Sequence, residues 1–156
     1  MNKAIILIER YNIAKKYIAL AESCTGGLLS DCLVQIPRTS QVLWGSFVCY
    51  TVRAKCTMLG LEEDFIQRHG TVSYEVACTM VQAVLTISSV DVALSTTGLA
   101  GPEGDDRGTP VGTVWIGIAQ KGQKPDAQSF YCTGSRNEIR NTVVHCAIEI
   151  LLQVLK

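Results

Sequence analysis

The feature that most constrains the fold of this chain is a short run of small residues between two apolar segments. Residues 17–21 are apolar, as in a buried strand, and residues 28–36 show the apolar spacing of a helix. The turn that joins them, residues 21–27, reads AESCTGG. A strand, a tight turn and a helix in this order form the basic unit of α/β domains, so the sequence favours that class.

This turn has two interpretations. If it leaves the carboxyl end of a strand and opens a helix, its backbone N–H groups and the positive helix end could bind a phosphate or an oxyanion. Alternatively, it is a structural turn in which Ser23 or Thr25 caps the helix and the glycines allow close packing. The segment has neither a G-x-G-x-x-G pattern nor a Walker lysine, so it is not one of the common nucleotide-binding motifs.

Strands and helices alternate along the rest of the chain. We predict further strands at 42–50, 90–96, 113–119 and 127–132. Helices are predicted at 4–16, 51–59, 62–69 and 73–88, and from a capping box at Ser135 onwards. The aromatic and β-branched composition of residues 42–50 is typical of a central strand. We therefore expect residues 1–156 to form a single three-layer α/β/α domain with a mixed, mainly parallel sheet.

Charge and cysteine content exclude several classes of function. Lys and Arg together number 14, as do Asp and Glu, so we expect neither nucleic acid nor a membrane as partner. No apolar stretch is long enough to cross a bilayer, and the first apolar run ends at Glu9-Arg10 before any cleavage site for a signal peptidase. The seven cysteines are odd in number and form no C-x-x-C pair, which favours reduced thiols and a cytoplasmic location.

Metal chemistry is not expected either. The chain has two histidines, His69 beside a predicted helix end and His145 inside an apolar helix, and both positions favour structural roles. No group of cysteines, histidines or paired acidic residues has the spacing of a metal site, so we expect no metal and no cofactor.

A long loop at residues 96–112 is the second candidate functional segment. It follows a predicted strand, as the 21–27 turn does, and two such turns could meet in one crevice. The alternative is a surface loop rich in turn-forming residues. Ser40 and Lys55 lie between the two segments, and a serine activated by a desolvated lysine can act as a nucleophile without histidine or metal. Spacing alone does not select these two residues.

Several strings together resemble a known family. They are AESCTGG at 21–27, GSFVCY at 45–50 with AK at 54–55, GTVS at 70–73, TGLAGP at 97–102 and PVGTVW at 110–115. In this order they resemble the C-terminal domain family of CinA, the competence/damage-inducible protein, which includes bacterial nicotinamide-nucleotide amidases. The resemblance runs from about residue 15 to the C-terminus.

The resemblance implies an activity and a set of site residues. The expected reaction is hydrolysis of the carboxamide of nicotinamide mononucleotide (NMN) to nicotinic acid mononucleotide and ammonia, a step of pyridine nucleotide salvage. The family's nucleophile and activating base fall on Ser40 and Lys55. Backbone N–H groups near Ser40 or Gly98 would stabilise the oxyanion. Tyr50, Thr97 and Gly98 would border the ring or ribose. The phosphate would be met either by the helix start at Thr25, Gly26 and Gly27 or by Arg136 and Arg140, one turn apart at another helix N-terminus. A homodimer that acts on a small nucleotide is implied as well.

Two departures from the family pattern support an alternative. Val52 stands where family members commonly have asparagine, and Arg38 stands where the turn before Ser40 commonly has glycine. The alternative is a nucleotide-binding or regulatory protein that keeps the pocket but has weak or no catalytic activity.

Overall fold

The computed structural model describes residues 3–155. Six helices and five strands follow one another along these residues, with one 3₁₀ turn at Thr39–Gln41. In chain order they are α1 (Lys3–Ala14), β1 (Ile18–Glu22), α2 (Leu28–Val34), β2 (Leu43–Val48), α3 (Val52–Leu59), α4 (Glu63–His69), α5 (Tyr74–Ser88), β3 (Val92–Gly98), β4 (Thr113–Gln120), β5 (Asp126–Tyr131) and α6 (Arg136–Val154).

The five strands form one mixed sheet in the order β2-β1-β3-β4-β5. The β2-β1 and β1-β3 pairs are parallel, whereas β3-β4 and the β4-β5 hairpin are antiparallel. The α/β fold class is thus confirmed, with the parallel and antiparallel pairs equal in number. Because β1 and β3 are parallel neighbours, the segments that follow them leave the sheet side by side, at the carboxyl ends of these strands.

Helices cover both faces of the sheet, and strand β1 shows how the two cores are divided. Ile18 and Leu20 point into a core shared with α1, α2 and α6. Ala19 and Ala21 point into the opposite core, which contains residues of α3, α4 and α5. All five residues of β1 are buried and the first four are apolar, as is typical of a strand covered on both faces.

The position of β2 corrects one expectation. The segment forms a strand, but this strand lies at the edge of the sheet and not at its centre. Trp44 and Val48 are 50% and 43% exposed. Aromatic and β-branched residues suit a strand at the edge of a sheet as well as one at its centre, so the composition of β2 does not show how many strands flank it.

Helix starts are formed by the capping residues that the sequence indicates. The hydroxyl of Thr51 accepts a hydrogen bond from the Ala54 N–H at the start of α3, and Ser73 caps α5 in the same way. Ser135 and Glu138 form the predicted capping box of α6. Three residues separate the end of β2 from helix α3, and the last of them is the cap, Thr51. This short connection places Lys55 of α3 close to the end of β1.

Three features of the described residues bear on function. No helix within residues 3–155 is long and apolar enough to cross a membrane. The same residues contain no group of three His, Cys, Asp or Glu side chains that could hold a metal ion. All seven cysteines are free thiols.

Candidate active site

A buried lysine in contact with a serine marks the candidate site. The Lys55 side chain is fully buried, and its Nζ lies 2.9 Å from Ser23 Oγ. The same Nζ donates to the carbonyl oxygens of Cys49 at 3.1 Å and Tyr50 at 3.5 Å. No carboxylate forms an ion pair with this amine among residues 3–155. A lysine in such surroundings is a candidate general base.

These three contacts suit both protonation states of Lys55. The carbonyls of Cys49 and Tyr50 can only accept, so each requires an N–H from the amine. In the ammonium form the third N–H points to Ser23 Oγ, whereas in the neutral amine a lone pair faces it. The Ser23 hydroxyl, which is also 3.5 Å from the Tyr50 oxygen, can then donate to Lys55. The geometry therefore allows a proton to pass from serine to lysine without rearrangement.

Burial also favours the neutral amine. Loss of hydration lowers the pKa of Lys55 below its ordinary value of 10.5, and the neighbouring thiols Cys49, Cys24 and Cys56 oppose this shift only in part. Cys24 and Cys49 are poor nucleophiles, since burial raises the pKa of Cys49 and raises the pKa of Cys24, which adjoins Ser23, to about 11. The arrangement thus activates the serine and not the cysteine.

The fold places Ser23 at the edge of the sheet where β1 and β3 end. Ser23 follows the last residue of β1, and its backbone N–H donates to the carbonyl of Thr96 in β3 at 3.0 Å. Thr96 Oγ1 in turn lies 2.9 Å from Thr25 Oγ1. These bonds connect the 21–27 turn to the neighbouring strand and leave the Ser23 side chain at the carboxyl end of the sheet.

The buried carboxylate of Glu22 occupies the start of helix α2. Its oxygens accept hydrogen bonds from the backbone N–H groups of Gly27, Leu29 and Ser30 at 2.9–3.0 Å. The Ser46 hydroxyl donates to the same carboxylate at 3.0 Å. The protein thus supplies its own anion to this helix terminus.

Two of the backbone N–H groups at Thr25, Gly26 and Gly27, the first alternative for the substrate phosphate, therefore already have partners within the protein. The Gly27 N–H is taken by Glu22, and the Gly26 N–H donates to the Ser23 carbonyl. Thr25 is fully buried with its hydroxyl on Thr96. The sequence shows that N–H donors lie at this helix start, but it does not show which acidic side chain reaches them in the folded chain.

Arg140 also has a role other than the expected one. Its Nε donates to the carbonyl of Cys24 at 3.2 Å, and its NH2 group donates to the carbonyl of Thr25 at 2.9 Å. NH1 contacts Asn137 on the same helix. Arg140 thus fastens α6 to the turn that carries Ser23, and its guanidinium is engaged by protein oxygens.

A crevice of about 230 Å³ opens beside Ser23. Its walls come from the 21–27 turn, the end of β3 with the following loop, the α4–α5 connection and α6. The lining residues are Ser23, Cys24, Tyr50, Thr71, Val72, Thr97, Gly98, Leu99, Ala100, Asp105 and Arg136. Four larger depressions, of about 260–500 Å³, contain neither Ser23 nor Lys55. Ser23 lines the smaller crevice, and the Lys55 amine that contacts it is buried.

Four expected substrate-binding residues line this crevice. They are Tyr50, Thr97, Gly98 and Arg136. The Arg136 guanidinium donates to the hydroxyl of Tyr50 and to the carbonyl of Gly101, both at 2.7 Å. Arg136 is exposed, and a guanidinium has five N–H donors, so it retains donors for a ligand at the crevice mouth.

The loop after β3 is held in place as one wall of the crevice. Thr97 Oγ1 donates to the carbonyl of Thr71 in the α4–α5 connection at 2.8 Å. Farther along, the Arg107 guanidinium donates to the carbonyls of Gln67 and Arg68 at the end of α4. A cation at that position also interacts favourably with the negative end of the helix.

Ser40 lies outside this site. It belongs to the 3₁₀ turn at Thr39–Gln41, is exposed, and lines a separate depression with Pro37 and Trp44. The structure thus corrects the predicted Ser40–Lys55 pair, because the serine that contacts Lys55 is Ser23. Arg38 lies beside Ser40 in that depression, and Val52 packs against the core of α3 to α5. The two departures from the family pattern therefore lie outside the crevice.

The sequence contained a signal for Ser23 that its interpretation did not use. A serine in a sharp turn between a strand and a helix is the usual setting of a nucleophile in α/β hydrolytic enzymes. The interpretations given above assign this serine only to a helix cap or to an anion site. Glu22 carried no comparable signal, because an acidic residue at the end of an apolar run is common.

Comparisons with known proteins agree with this fold. The CinA C-terminal domain family matches residues 3–155. A CinA-like protein of Thermotoga maritima is 39% identical over 151 residues, which cover 97% of this chain and 36% of that protein. A CinA-like protein of Endomicrobium trichonymphae is 38% identical over 141 residues, or 90% of this chain and 33% of that protein. The chain thus spans about a third of the length of these curated relatives.

Solved structures give the same result. A CinA superfamily protein from Escherichia coli matches with a TM-score of 0.94 at 32% identity, covering 98% of this chain and 88% of that chain. A competence/damage inducible protein from Agrobacterium tumefaciens matches with a TM-score of 0.91 at 31% identity, covering 100% and 98% of the two chains. By its sequence and its fold, this chain belongs to the CinA C-terminal domain family.

Proposed function

We propose that this protein is an amidase that hydrolyses the carboxamide of NMN, with Ser23 as nucleophile and Lys55 as general base. The observation that carries the proposal is the 2.9 Å contact between Ser23 Oγ and the fully buried Lys55 Nζ at the floor of a crevice. A serine with a lysine base is an established means of cleaving amide bonds without a metal. The amide and nucleotide character of the substrate is suggested by the family resemblance.

The reaction begins with transfer of the Ser23 hydroxyl proton to neutral Lys55 as Oγ attacks the carboxamide carbon. The backbone N–H groups of Cys24 and Thr25, which follow Ser23 in the chain, are our candidates to donate to the oxyanion. Protonated Lys55 then gives its proton to the departing nitrogen, the C–N bond breaks, and ammonia leaves. This step produces a nicotinoyl ester on Ser23.

Water completes the reaction by cleaving that ester. Lys55, again neutral, takes a proton from the attacking water and later returns it to Ser23 Oγ as nicotinic acid mononucleotide is released. The carbonyl oxygens of Cys49 and Tyr50 hold the amine in place during both steps. One residue thus serves as base and acid in alternation.

The size of the crevice suggests how the nucleotide would lie. Its volume of about 230 Å³ is below the roughly 300 Å³ at which pockets for whole ligands usually begin. The pyridine ring with its carboxamide would enter, and the ribose phosphate would extend from the mouth. Arg136, exposed at that mouth, is our candidate for the phosphate.

The test is a direct assay of the purified protein with NMN. Ammonia and nicotinic acid mononucleotide should appear in equal amounts, and Lys55→Met should abolish both while the protein remains folded by circular dichroism. If the wild-type protein releases no more ammonia than Lys55→Met, the proposed function is wrong.

A further inference from the structure

A carboxylate lines the crevice beside the candidate nucleophile, and the reaction steps above do not use it. Asp105 lies in the loop between β3 and β4 and borders the same crevice as Ser23 and Arg136. Of the eleven lining residues, only Asp105 and Arg136 carry charged side chains. The crevice therefore presents one negative and one positive group to a ligand.

The Asp105 side chain is held in position by its own loop. Its Oδ1 accepts hydrogen bonds from the backbone N–H groups of Arg107 at 3.1 Å and Thr109 at 2.9 Å. Partial burial alone would raise the pKa of Asp105, but the bonds from Thr109 and Arg107 outweigh it and lower the pKa below its ordinary value. Asp105 is thus a fixed, ionised carboxylate at neutral pH.

No protein cation neutralises this carboxylate at contact distance. Within residues 3–155 the ion pairs join Lys3 to Glu149 and His69 to Glu75, and neither includes Asp105. The Arg107 guanidinium forms no ion pair with it and acts on it only at longer range, while its NH2 group donates to carbonyls at the end of α4. A fixed carboxylate in a crevice with no cation in contact favours a ligand with a positive charge.

The proposed substrate carries such a charge. NMN combines a negative phosphate with a pyridinium ring whose quaternary nitrogen is positive at every pH. When the carboxamide reaches Ser23, the ring must occupy the interior of the crevice, because the carboxamide is bonded directly to it. The phosphate then lies toward Arg136, so the two charges of the ligand match the two charges of the crevice.

On the basis of the proposed function, we propose that Asp105 is a specificity-determining residue that recognises the positive charge of the pyridinium ring. The protein then prefers the oxidised nucleotide to its reduced dihydropyridine form, which has the same ribose and phosphate but an uncharged ring. The ring stays positive throughout acylation, so Asp105 binds the ground state and the transition state alike and acts mainly through KM.

The experiment compares the binding of these two nucleotides to protein variants that do not turn over. In a Ser23→Ala background, Kd is measured by calorimetry for NMN and for its reduced form, with and without Asp105→Asn. Asparagine keeps the Oδ1 acceptor for the two loop N–H groups, so the loop retains its shape while the charge is removed. Glu103→Gln is the matched control, because Glu103 is an exposed acid of the same loop that does not line the crevice.

Asp105→Asn should weaken NMN binding about fivefold, as expected for a partly exposed ion pair, and leave the Kd of the reduced form unchanged. The effect should shrink at high salt, and Glu103→Gln should change neither Kd. If Asp105→Asn weakens the binding of both nucleotides equally, or leaves the preference for NMN unchanged, the inference is overturned. The binding experiment needs no turnover, so a shifted preference supports recognition of the pyridinium charge by Asp105 whether or not the wild-type protein releases ammonia. Failure of the wild-type protein to release ammonia would refute only the proposed function.

Discussion

At the scale of single residues, the central feature is an amine surrounded by oxygen acceptors in a buried position. Lys55 contacts one hydroxyl and two carbonyls and has no carboxylate partner among residues 3–155. An ion pair would have held the lysine in its charged form, whereas carbonyl dipoles position it without preventing loss of its proton. This distinction makes Lys55 suited to accept the Ser23 proton.

The pH dependence of activity follows from Lys55. Its pKa is lowered by burial, and the neutral form is the active one, so kcat/KM should rise as pH increases through that pKa and level off above it. The inflection should lie below 10.5, the ordinary lysine value. Initial rates of ammonia release from subsaturating NMN at a series of pH values measure it.

A charge-preserving variant provides the control for this profile. Lys55→Arg restores a cation but cannot lose a proton in the working range, so it should stay inactive at every pH. Near-normal kcat in a folded Lys55→Arg protein would mean that the residue acts through its charge, and that the base lies elsewhere.

At the scale of secondary-structure elements, the turn that carries Ser23 is held from two sides. Glu22 binds the first N–H groups of α2, and Arg140 of α6 binds the carbonyls of Cys24 and Thr25. Both contacts use backbone atoms, so the shape of the turn does not depend on bound substrate. The site is therefore preorganised for the proposed reaction.

Glu22→Gln tests how much the buried carboxylate contributes. Each Glu22 oxygen accepts a hydrogen bond from at least one backbone N–H. In glutamine an NH₂ group replaces one of these oxygens, so in either orientation of the amide two donors face each other. We expect the free energy of unfolding to fall by about 1–3 kcal/mol, measured by urea denaturation.

Glu138→Gln is the matched control for that substitution. Glu138 also caps a helix, but it is exposed, and glutamine is accepted at this position of a capping box. Its effect should be no more than about 0.5 kcal/mol. Equal effects of the two substitutions would contradict the role assigned to burial at Glu22.

At the scale of the whole molecule, helix α5 packs closely on the sheet beside β3 and β4. A Cβ on Gly117 of β4 would lie 2.4 Å from Ser95 Oγ and 2.5 Å from the carbonyl oxygen of Ala77. Gly117→Ala should therefore push α5 from the sheet and lower the free energy of unfolding by about 1–3 kcal/mol.

Gly45→Ala in the edge strand β2 is the control for this packing effect. An added Cβ there meets no atom within 4 Å, so its effect should be near zero or slightly stabilising. Thermal unfolding of both variants measures the difference. A Gly117→Ala protein as stable as the wild type would show that the helix layer adjusts at no cost.

The sequence predicts the elements of this fold well because their signals are local. The caps at Thr51, Ser73 and Ser135 lie where the pattern indicates, and the β4-β5 hairpin has its expected partners. The lateral order of strands depends on long-range pairing, so the edge position of β2 could not be read from its composition.

The site was only partly predictable for the same reason. Family motifs pointed to Lys55 and Tyr50, and the position of Arg136 at a helix start pointed to that residue. In the structure Tyr50 and Arg136 line the crevice, and Lys55 contacts its Ser23. The choice between Ser23 and Ser40 required the distance to Lys55, which depends on how β1 and α3 pack together. Glu22 was missed because its four donors come from segments that meet only in the folded chain.

The most direct test of the account is a comparison of two serine variants. Ammonia release from saturating NMN is measured for Ser23→Ala and Ser40→Ala, with folding verified by thermal unfolding. Ser23→Ala should lower kcat by about 10³-fold or more, because it removes the nucleophile, whereas Ser40→Ala should stay within about twofold of the wild type. Loss of activity in Ser40→Ala together with normal turnover by Ser23→Ala would contradict the assignment of the Ser23–Lys55 pair.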